Sequence, residues 1–90
     1  MTNLNIKLYI KVISEPNRLK ILEFLKESEK CACEIHPKIK LPQNLSSHHL
    51  KVLKDLKLLK SRKVGNKIIY KRDEGIIKKY QSELTKKILK

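Results

Sequence analysis

The segment from Leu41 to Leu59 constrains the fold more than any other part of the chain, because its two sides differ sharply in polarity. When residues 44–56 are wound as an α-helix, at about 100° per residue, one side is mainly apolar. It carries Leu45, His49, Leu50, Val52, Leu53 and Leu56, whereas the opposite side carries Asn44, Ser47, His48, Lys51 and Lys54. Hydrogen-bonding groups flanked by cations suit a helix that enters a polar, anionic groove, although an ordinary solvated amphipathic helix is the alternative.

Length and charge indicate a small and strongly basic domain. We expect a single domain, residues 1–90, whose thin core buries roughly 60–65% of the surface of the unfolded chain. A partner subunit would supplement such a core, and the apolar stripes of both terminal segments predict that the terminal helices form a homodimer interface. The 22 Lys and Arg residues against 9 Asp and Glu give a net charge of +13. This charge favours a polyanionic partner such as nucleic acid or an anionic membrane, and a generally lysine-rich composition is the alternative explanation.

The sequence contains no recognisable membrane or targeting segment. No apolar run reaches the roughly 18–20 residues needed to cross a bilayer, and the N-terminus lacks the charged and then apolar layout of a secretory signal. Two cysteines separated by one residue are too few and too close to staple a secreted mini-protein. We therefore expect a cytoplasmic protein without a membrane partner, in which the cysteines are either a local chemical site or inert.

Hydrophobic periodicity predicts a mostly α-helical domain with one small β-hairpin. The predicted helices span 2–13, 16–26, a short stretch within 31–39, 44–58 and 73–90, and the predicted strands span 59–64 and 67–72. The short third helix starts at Cys31, or only near Pro37, or is a single distorted turn, because a proline interrupts helical hydrogen bonding. Gly65 and Asn66 suit the tight turn between the strands. The resulting order, α-α-α-α-β-β-α, is that of a winged helix-turn-helix domain.

Several segments resemble the ArsR/SmtB family of metal-responsive winged-helix repressors. Residues 47–53, Ser-His-His-Leu-Lys-Val-Leu, are similar to the recognition helix of that family, and residues 15–22 are similar to the opening of its second helix. Residues 57–59 and 62–70 resemble its wing. Two positions depart from the family pattern, because Ser46 stands where a valine is usual and Pro42 stands where a serine usually caps the helix. The resemblance implies a DNA-binding transcriptional repressor with a winged helix-turn-helix fold.

The resemblance and the polar side of the fourth helix together predict the DNA contacts. Side chains that can read base edges in the major groove are Gln43, Asn44, Ser47 and His48. Cations expected at phosphates or in the minor groove are Lys51 and Lys54 of the helix and Arg62, Lys63 and Lys67 of the wing. His49 points to the packed side, where we expect a hydrogen bond inside the motif. A dimer would present two such helices about 34 Å apart, to a twofold-symmetric operator in double-stranded DNA with half-sites about 10 bp apart or a multiple of it.

Cys31, Cys33 and His36 resemble the Cys-x-Cys-x-x-Cys arsenic-sensing triplet of the family, with a nitrogen in place of the third sulfur. Three thiolates suit As(III), whereas two sulfurs and one nitrogen suit zinc, cobalt or copper as well. Glu34 or a residue of a second subunit is a candidate fourth ligand. Three interpretations stay open: a thiophilic metal or metalloid effector that releases DNA, a redox switch in which the two cysteines oxidise, or unreactive cysteines. We expect no obligatory cofactor.

The sequence does not indicate an enzyme, because it has no glycine-rich phosphate loop and no plausible set of nucleophile, base and orienting residue. A sequence-tolerant architectural DNA-binding protein is the remaining rival, since a net charge of +13 would suffice for it. Such a protein would have no use for the polar side of the fourth helix. The sequence therefore favours a sequence-specific transcriptional regulator that binds DNA.

Overall fold

The computed structural model describes residues 4–89, which form five α-helices and three short β-strands. In chain order the helices are α1 (Ile6–Ile13), α2 (Pro16–Glu27), α3 (Ala32–Ile39), α4 (Gln43–Asp55) and α5 (Glu74–Leu89). The strands are β1 (Lys30–Cys31) between α2 and α3, and β2 (Leu59–Val64) and β3 (Lys67–Arg72) between α4 and α5. The predicted winged helix-turn-helix order is confirmed, with β1 as an additional element. A strand of two residues is too short to show an alternating pattern in the sequence.

Capping side chains determine where α1 and α2 begin. The side-chain oxygen of Asn5 accepts a hydrogen bond from the N–H of Leu8 at 3.0 Å, so α1 starts later than the predicted residue 2. Residues 2 and 3, like Lys90 at the predicted end of α5, lie outside the described range. The carboxylate of Glu15 accepts a hydrogen bond from the N–H of Arg18 at 3.2 Å and caps α2 in the same way.

α3 is continuous from Ala32 to Ile39, so a start near Pro37 and a single distorted turn are both wrong. The reason is a capping box at its N-terminus. The sulfur of Cys31 accepts a hydrogen bond from the N–H of Cys33 at 3.1 Å, and the carboxylate of Glu34 accepts one from the N–H of Cys31 at 3.1 Å. Pro37 removes only one hydrogen bond close to the end of the helix, which the structure tolerates.

A residue with a left-handed backbone conformation follows each of the two helices of the helix-turn-helix unit, α3 and α4. Lys40, with a φ of 57°, ends α3 and leads into Pro42 at the start of α4. Lys57, with a φ of 69°, follows α4 and turns the chain toward β2. This turn ends α4 at Asp55, earlier than the predicted end near Leu58.

The hairpin of β2 and β3 forms the wing, and both strands have the predicted bounds. The two strands pair antiparallel, from Leu59 opposite Arg72 to Val64 opposite Lys67. Gly65 has a φ of 61°, which a glycine adopts without strain, and it makes the tight turn between the strands possible.

β1 joins the wing as a third strand on the free edge of β3. Cys31 lies opposite Ile69 of β3, and Arg62 of β2 lies opposite Ile69 on its other side. Cys31, Ile69 and Arg62 therefore form one row across the three strands. The segment that carries the cysteines is thus part of the wing sheet as well as the start of α3.

All five helices and β2 contribute side chains to one buried core. Its members are Tyr9, Val12, Ile21, Leu25, Ile35, Ile39, Leu50, Leu53, Leu56, Leu58, Leu59, Ile77 and Tyr80. The stacked rings of Tyr9 and Tyr80, with centroids 4.5 Å apart, join α1 to α5. These two helices leave apolar side chains exposed at Leu8, Ile10, Ile88 and Leu89. Among the helices between residues 4 and 89, none combines the length and the apolar character that a membrane span requires.

Candidate nucleic-acid interface and cysteine site

The outer face of α4 presents polar and cationic side chains to solvent. Its exposed members are Gln43, Asn44, Ser47, His48, Lys51 and Lys54. Lys51 donates to Oδ2 of Asp55 at 2.8 Å, and both side chains of this pair are largely exposed, so a phosphate could replace the carboxylate. Pro42 provides no side-chain cap for the helix, which leaves the first N–H groups of α4 free to meet an anion.

The inner face of α4 is organised around Ser46, Leu50 and Leu53, which are 0%, 1% and 0% exposed. Their spacing of i, i+4 and i+7 is that of one buried helical stripe. Leu45 was predicted on this side, and the structure shows it 47% exposed. It lies one residue, or about 100°, away from the buried stripe. A serine hydroxyl therefore occupies a core position that the periodicity assigned to a leucine.

His49 is held inside the motif by two residues from the start of α2. The Nε of Arg18 donates to Nδ1 of His49 at 3.1 Å, and Nε2 of His49 lies 3.5 Å from Oε2 of Glu15. Burial is the main cause that lowers the pKa of His49 below its ordinary value, and the charge of Arg18 adds to it while Glu15 opposes it. These contacts agree with the expectation that His49 forms a hydrogen bond inside the motif.

The wing exposes Arg62, Lys63 and Lys67. Both terminal nitrogens of Arg62 donate to the carboxylate of Glu29, each at 2.7 Å. This hydrogen bonding is the main cause that lowers the pKa of Glu29 and raises the pKa of Arg62. Glu29 directly precedes β1, so the pair connects the wing to the cysteine segment. Sequence reasoning missed Glu29, because no local pattern relates it to an arginine on a distant strand.

A disulfide bond joins Cys31 and Cys33 across the N-terminus of α3. Cys31 is buried and Cys33 is exposed. Two-electron reduction with uptake of two protons converts the bond into two thiols. Two adjacent soft sulfur donors fit a thiophilic ion, so the chemistry of the reduced pair is compatible with the predicted effector.

His36 and Glu34 have partners other than an ion. The Nδ1 of His36 forms a hydrogen bond of 2.5 Å with Oγ of Ser46 on the inner face of α4, and Glu34 belongs to the capping box. Within residues 4–89 the structure holds no cluster of three His, Cys, Asp or Glu side chains that could bind a metal ion. The predicted set of Cys31, Cys33 and His36 is therefore not assembled in this form of the protein. Its assembly requires reduction of the disulfide, which frees the two sulfurs.

Known proteins of similar sequence share the central part of this chain. Residues 15–61, slightly more than half of the chain, match the family described as bacterial regulatory protein, arsR family. The arsenical resistance operon repressor of Staphylococcus xylosus is 44% identical over 61 residues, which are 68% of this chain and 59% of that protein. A homolog of the cadmium resistance transcriptional regulatory protein CadC, from Staphylococcus aureus, is 36% identical over 69 residues, covering 76% of this chain and 57% of that protein. The chain thus spans less than two thirds of the length of these relatives.

The fold has a counterpart among solved structures. The homodimeric winged helix-turn-helix DNA-binding domain of Mb0332 from Mycobacterium bovis, a possible ArsR-family transcriptional regulator, superposes with a TM-score of 0.75. The superposition covers 89% of this chain and 75% of that one, at 21% identity, and so concerns the fold alone. Sequence and fold agree, and the chain belongs to the ArsR family of bacterial regulatory proteins.

Proposed function

We propose that this protein is a sequence-specific, DNA-binding transcriptional repressor that a thiophilic metal or metalloid at Cys31 and Cys33 releases from its operator. The observation that carries the proposal is the outer face of α4, where base-reading and cationic side chains are exposed above a buried stripe. The two relatives, an arsenical resistance operon repressor and a homolog of a cadmium resistance regulatory protein, support the same function. Its partner is operator DNA in the cytoplasm, with no membrane component and no enzymatic activity.

In this proposal α4 enters the major groove of double-stranded DNA. The amide and hydroxyl groups of Gln43, Asn44 and Ser47, with the imidazole of His48, read base edges. The lysines of α4 and the cations of the wing contact phosphates, and so position the protein without specifying sequence. Six to ten phosphate contacts correspond to a loss of roughly 10³–10⁵ in affinity between about 50 and 200 mM salt.

The repressor acts as a homodimer through α1 and α5. Their exposed apolar residues include Leu8 and Ile10 on α1, 42% and 45% exposed, and Ile88 and Leu89 on α5, 68% and 78% exposed. Residues of this kind are more typical of a covered surface than of a solvated one. Two copies would place their α4 helices about 34 Å apart, which matches two half-sites one helical turn apart.

The reduced pair of Cys31 and Cys33 provides the effector site. A bound As(III), Zn(II) or Cd(II) ion would displace the thiol protons and link the two sulfurs at the start of α3. A coupling of about 1–3 kcal/mol between this site and DNA, or about 5- to 150-fold in operator affinity, is enough to switch a promoter.

The disulfide bond itself favours a second candidate, a redox-sensing repressor. An oxidant of the peroxide class takes two electrons and two protons from the dithiol and is reduced to water. Two molecules of a small thiol then restore the dithiol by thiol–disulfide exchange and are themselves joined in a disulfide. In this case the bonded form and the dithiol form would differ in operator affinity without any ion.

Operator affinity with and without effector tests the proposal. We expect protein kept reduced by a phosphine to lose about 5- to 150-fold in affinity for a duplex selected from a random pool, when arsenite, Zn(II) or Cd(II) is added. The variant Cys31→Ser/Cys33→Ser should bind the duplex and ignore all three ions, because serine preserves the cap of α3.

An equal loss of affinity in the double variant would contradict the effector site. If only peroxide-oxidised protein changes affinity, the redox candidate replaces the ion. Equal affinity for selected and random duplexes at fixed salt would instead indicate a sequence-tolerant architectural protein.

A further inference from the structure

Leu45 is an apolar side chain beside the polar groups that the proposed function places against DNA. It is 47% exposed, and among the large apolar residues of α4, which the structure describes in full, it is the one that lies largely open to solvent. It precedes His48 by three residues, so the two side chains are neighbours on the helix surface. Asn44 and Ser47 lie in the adjoining positions of the chain and are exposed as well. One apolar side chain therefore borders a set of hydrogen-bonding ones.

The contacts on either side of Leu45 keep it outside the core. Ser46, the next residue, is 0% exposed and is hydrogen-bonded to His36 of α3. A rotation of α4 by about 100° would bury Leu45, but it would also take Ser46 out of the core and break that bond. His49, one turn after Leu45, is bonded to Arg18 at the start of α2. The orientation of α4 is therefore fixed, and Leu45 stays at the surface.

Leu45 is the third residue of α4, and the N-terminal residues of a recognition helix are those that contact base edges. When such a helix enters the major groove, Leu45 and the base edge that it meets both lose water. A donor or acceptor covered by a leucine would be left without a hydrogen bond, which is unfavourable. Thymine is the base that shows an apolar group in the major groove, its 5-methyl group. A thymine methyl is thus the base-edge group that Leu45 fits.

We propose that Leu45 is a specificity-determining residue that packs against the 5-methyl group of a thymine in each half-site of the operator. This inference rests on the proposed function, because it names a chemical feature of the DNA that α4 reads. Burial of one methyl group contributes about fourfold in affinity (about 0.8 kcal/mol), and the two half-sites of a dimer together contribute about 15-fold. A different base pair at this position is disfavoured by roughly 5- to 150-fold, the usual effect of one mismatch.

Deoxyuridine in place of thymidine tests the contact, because it removes the methyl group and keeps base pairing and every hydrogen-bonding group. In a duplex selected from a random pool, each thymine is replaced in turn, together with its symmetry mate in the other half-site. Affinity is measured at one fixed salt concentration. We expect one pair of positions at which the wild type loses about 15-fold in affinity.

Leu45→Ala should lose less than about twofold at that pair of positions, because its short side chain does not reach the methyl group. It should also bind the thymine duplex about as weakly as the wild type binds the deoxyuridine duplex. The dependence of log affinity on log salt should be the same for both proteins, since Leu45 contacts no phosphate in this proposal. A merely structural role of Leu45 would not change the discrimination between thymine and deoxyuridine.

Leu19→Ala is the matched control, because Leu19 of α2 is also 47% exposed. It lines a surface cavity with Tyr9 of α1 and Ile77 of α5, on the side of α2 that faces those helices. This variant should keep the full discrimination between the two duplexes. Leu45→Met retains an apolar side chain of similar length and should keep most of the discrimination, so it carries the test if Leu45→Ala fails to fold.

A wild type that binds every deoxyuridine duplex as tightly as the thymine duplex would overturn the contact, and so would a selected duplex without thymine. A loss that Leu45→Ala shows in full would also overturn it, because another residue would then read the methyl group. In each of these cases a preference for the selected duplex over random duplexes would leave the proposed function standing. Equal affinity for selected and random duplexes would instead refute the proposed function, so the two failures are distinguishable.

Discussion

The segment from Glu29 to His36 is bonded to both the wing and α4, and the two connections are of opposite kinds. Toward the wing, Glu29 and Arg62 form an ion pair whose side chains are 43% and 55% exposed. Toward α4, His36 contacts a serine that is fully buried. Water can replace either partner of an exposed ion pair with little loss of stability, whereas it cannot reach a buried hydroxyl that has lost its hydrogen-bond partner. The contact with the wing is therefore easily replaced, whereas the contact with α4 is not.

The largest expected effect concerns the apolar packing behind the buried connection. Ile35 of α3 is 0% exposed and belongs to the same core as Leu50 and Leu53 of α4. We expect Ile35→Ala to lower the free energy of unfolding by about 2–5 kcal/mol, measured by urea denaturation, because it leaves a cavity between packed helices. Leu45→Ala, at a position 47% exposed, should lower it by less than about 1 kcal/mol. Equal losses would show that the buried stripe of α4 is misplaced.

The second largest expected effect concerns His49, which connects α4 to the start of α2. The pKa of His49 is lowered from 6.5 in the folded protein. His49 of the unfolded chain therefore takes up a proton at a pH where His49 of the folded protein is still neutral. This contribution to stability is fully present above pH 6.5 and is lost as the pH falls from there through the folded pKa. We therefore expect the Tm of the wild type to fall between about pH 7.5 and 5.5.

His49→Asn is the control for this pH dependence, because its side-chain oxygen can still accept the hydrogen bond from Arg18 and does not titrate in this range. Its Tm should change less over the same interval. The pKa values of Glu15 and Glu29 lie below the ordinary 4.5, so these carboxyl groups titrate below the pH interval in which the Tm is compared. An identical dependence of Tm on pH in both proteins would indicate that protonation of His49 does not change the stability of the fold.

The smallest expected effect concerns the exposed connection to the wing. Glu29 competes with DNA phosphates for Arg62, since a phosphate has to displace the carboxylate before it can bind the arginine. We expect Glu29→Gln to bind operator more tightly and to steepen the dependence of log affinity on log salt by up to about 0.9, the value of one phosphate contact. Arg62→Gln should reverse the gain in the Glu29→Gln background and change the wild type only slightly.

Glu27→Gln controls for the general loss of one negative charge, because Glu27 is 69% exposed and its nearest cation, Lys30, is 4.0 Å away. A slope in Glu27→Gln as steep as that in Glu29→Gln would show that the pair with Arg62 has no special role. The free energy of unfolding should not distinguish these two variants, since both positions are at the surface.

Features that depend on local pattern were predictable from the sequence, and features that depend on distant partners were not. The strands of the wing follow from alternation and from Gly65 at their turn, and the outer face of α4 follows from helical periodicity. Ser46 lies in the core, where Leu45 was predicted, because α4 is turned by about one residue relative to the predicted orientation. Hydrophobic periodicity does not fix the orientation of a helix that closely. The cap of α3 uses a sulfur, which is an uncommon acceptor at that position.

Long-range contacts account for the rest of the candidate site. Glu29 meets Arg62 only after the three strands assemble, and His36 meets Ser46 only after α3 and α4 pack together. The resemblance to an arsenic-sensing triplet drew attention to His36 as a ligand, a role that stays a prediction. The bond between Cys31 and Cys33 depends on redox conditions, which spacing alone does not specify.

Cys31 occupies three structural positions at once, as a residue of β1, as the cap of α3 and as one half of the disulfide. A chemical change at its sulfur therefore acts on a strand end and a helix end together. The amide protons of Cys33 at the capped turn and of the residues where β1 meets β3 should exchange with solvent more rapidly when the sulfur changes partner. Hydrogen exchange at these few amides would report the chemical state of the cysteines in the free protein, before any DNA is present.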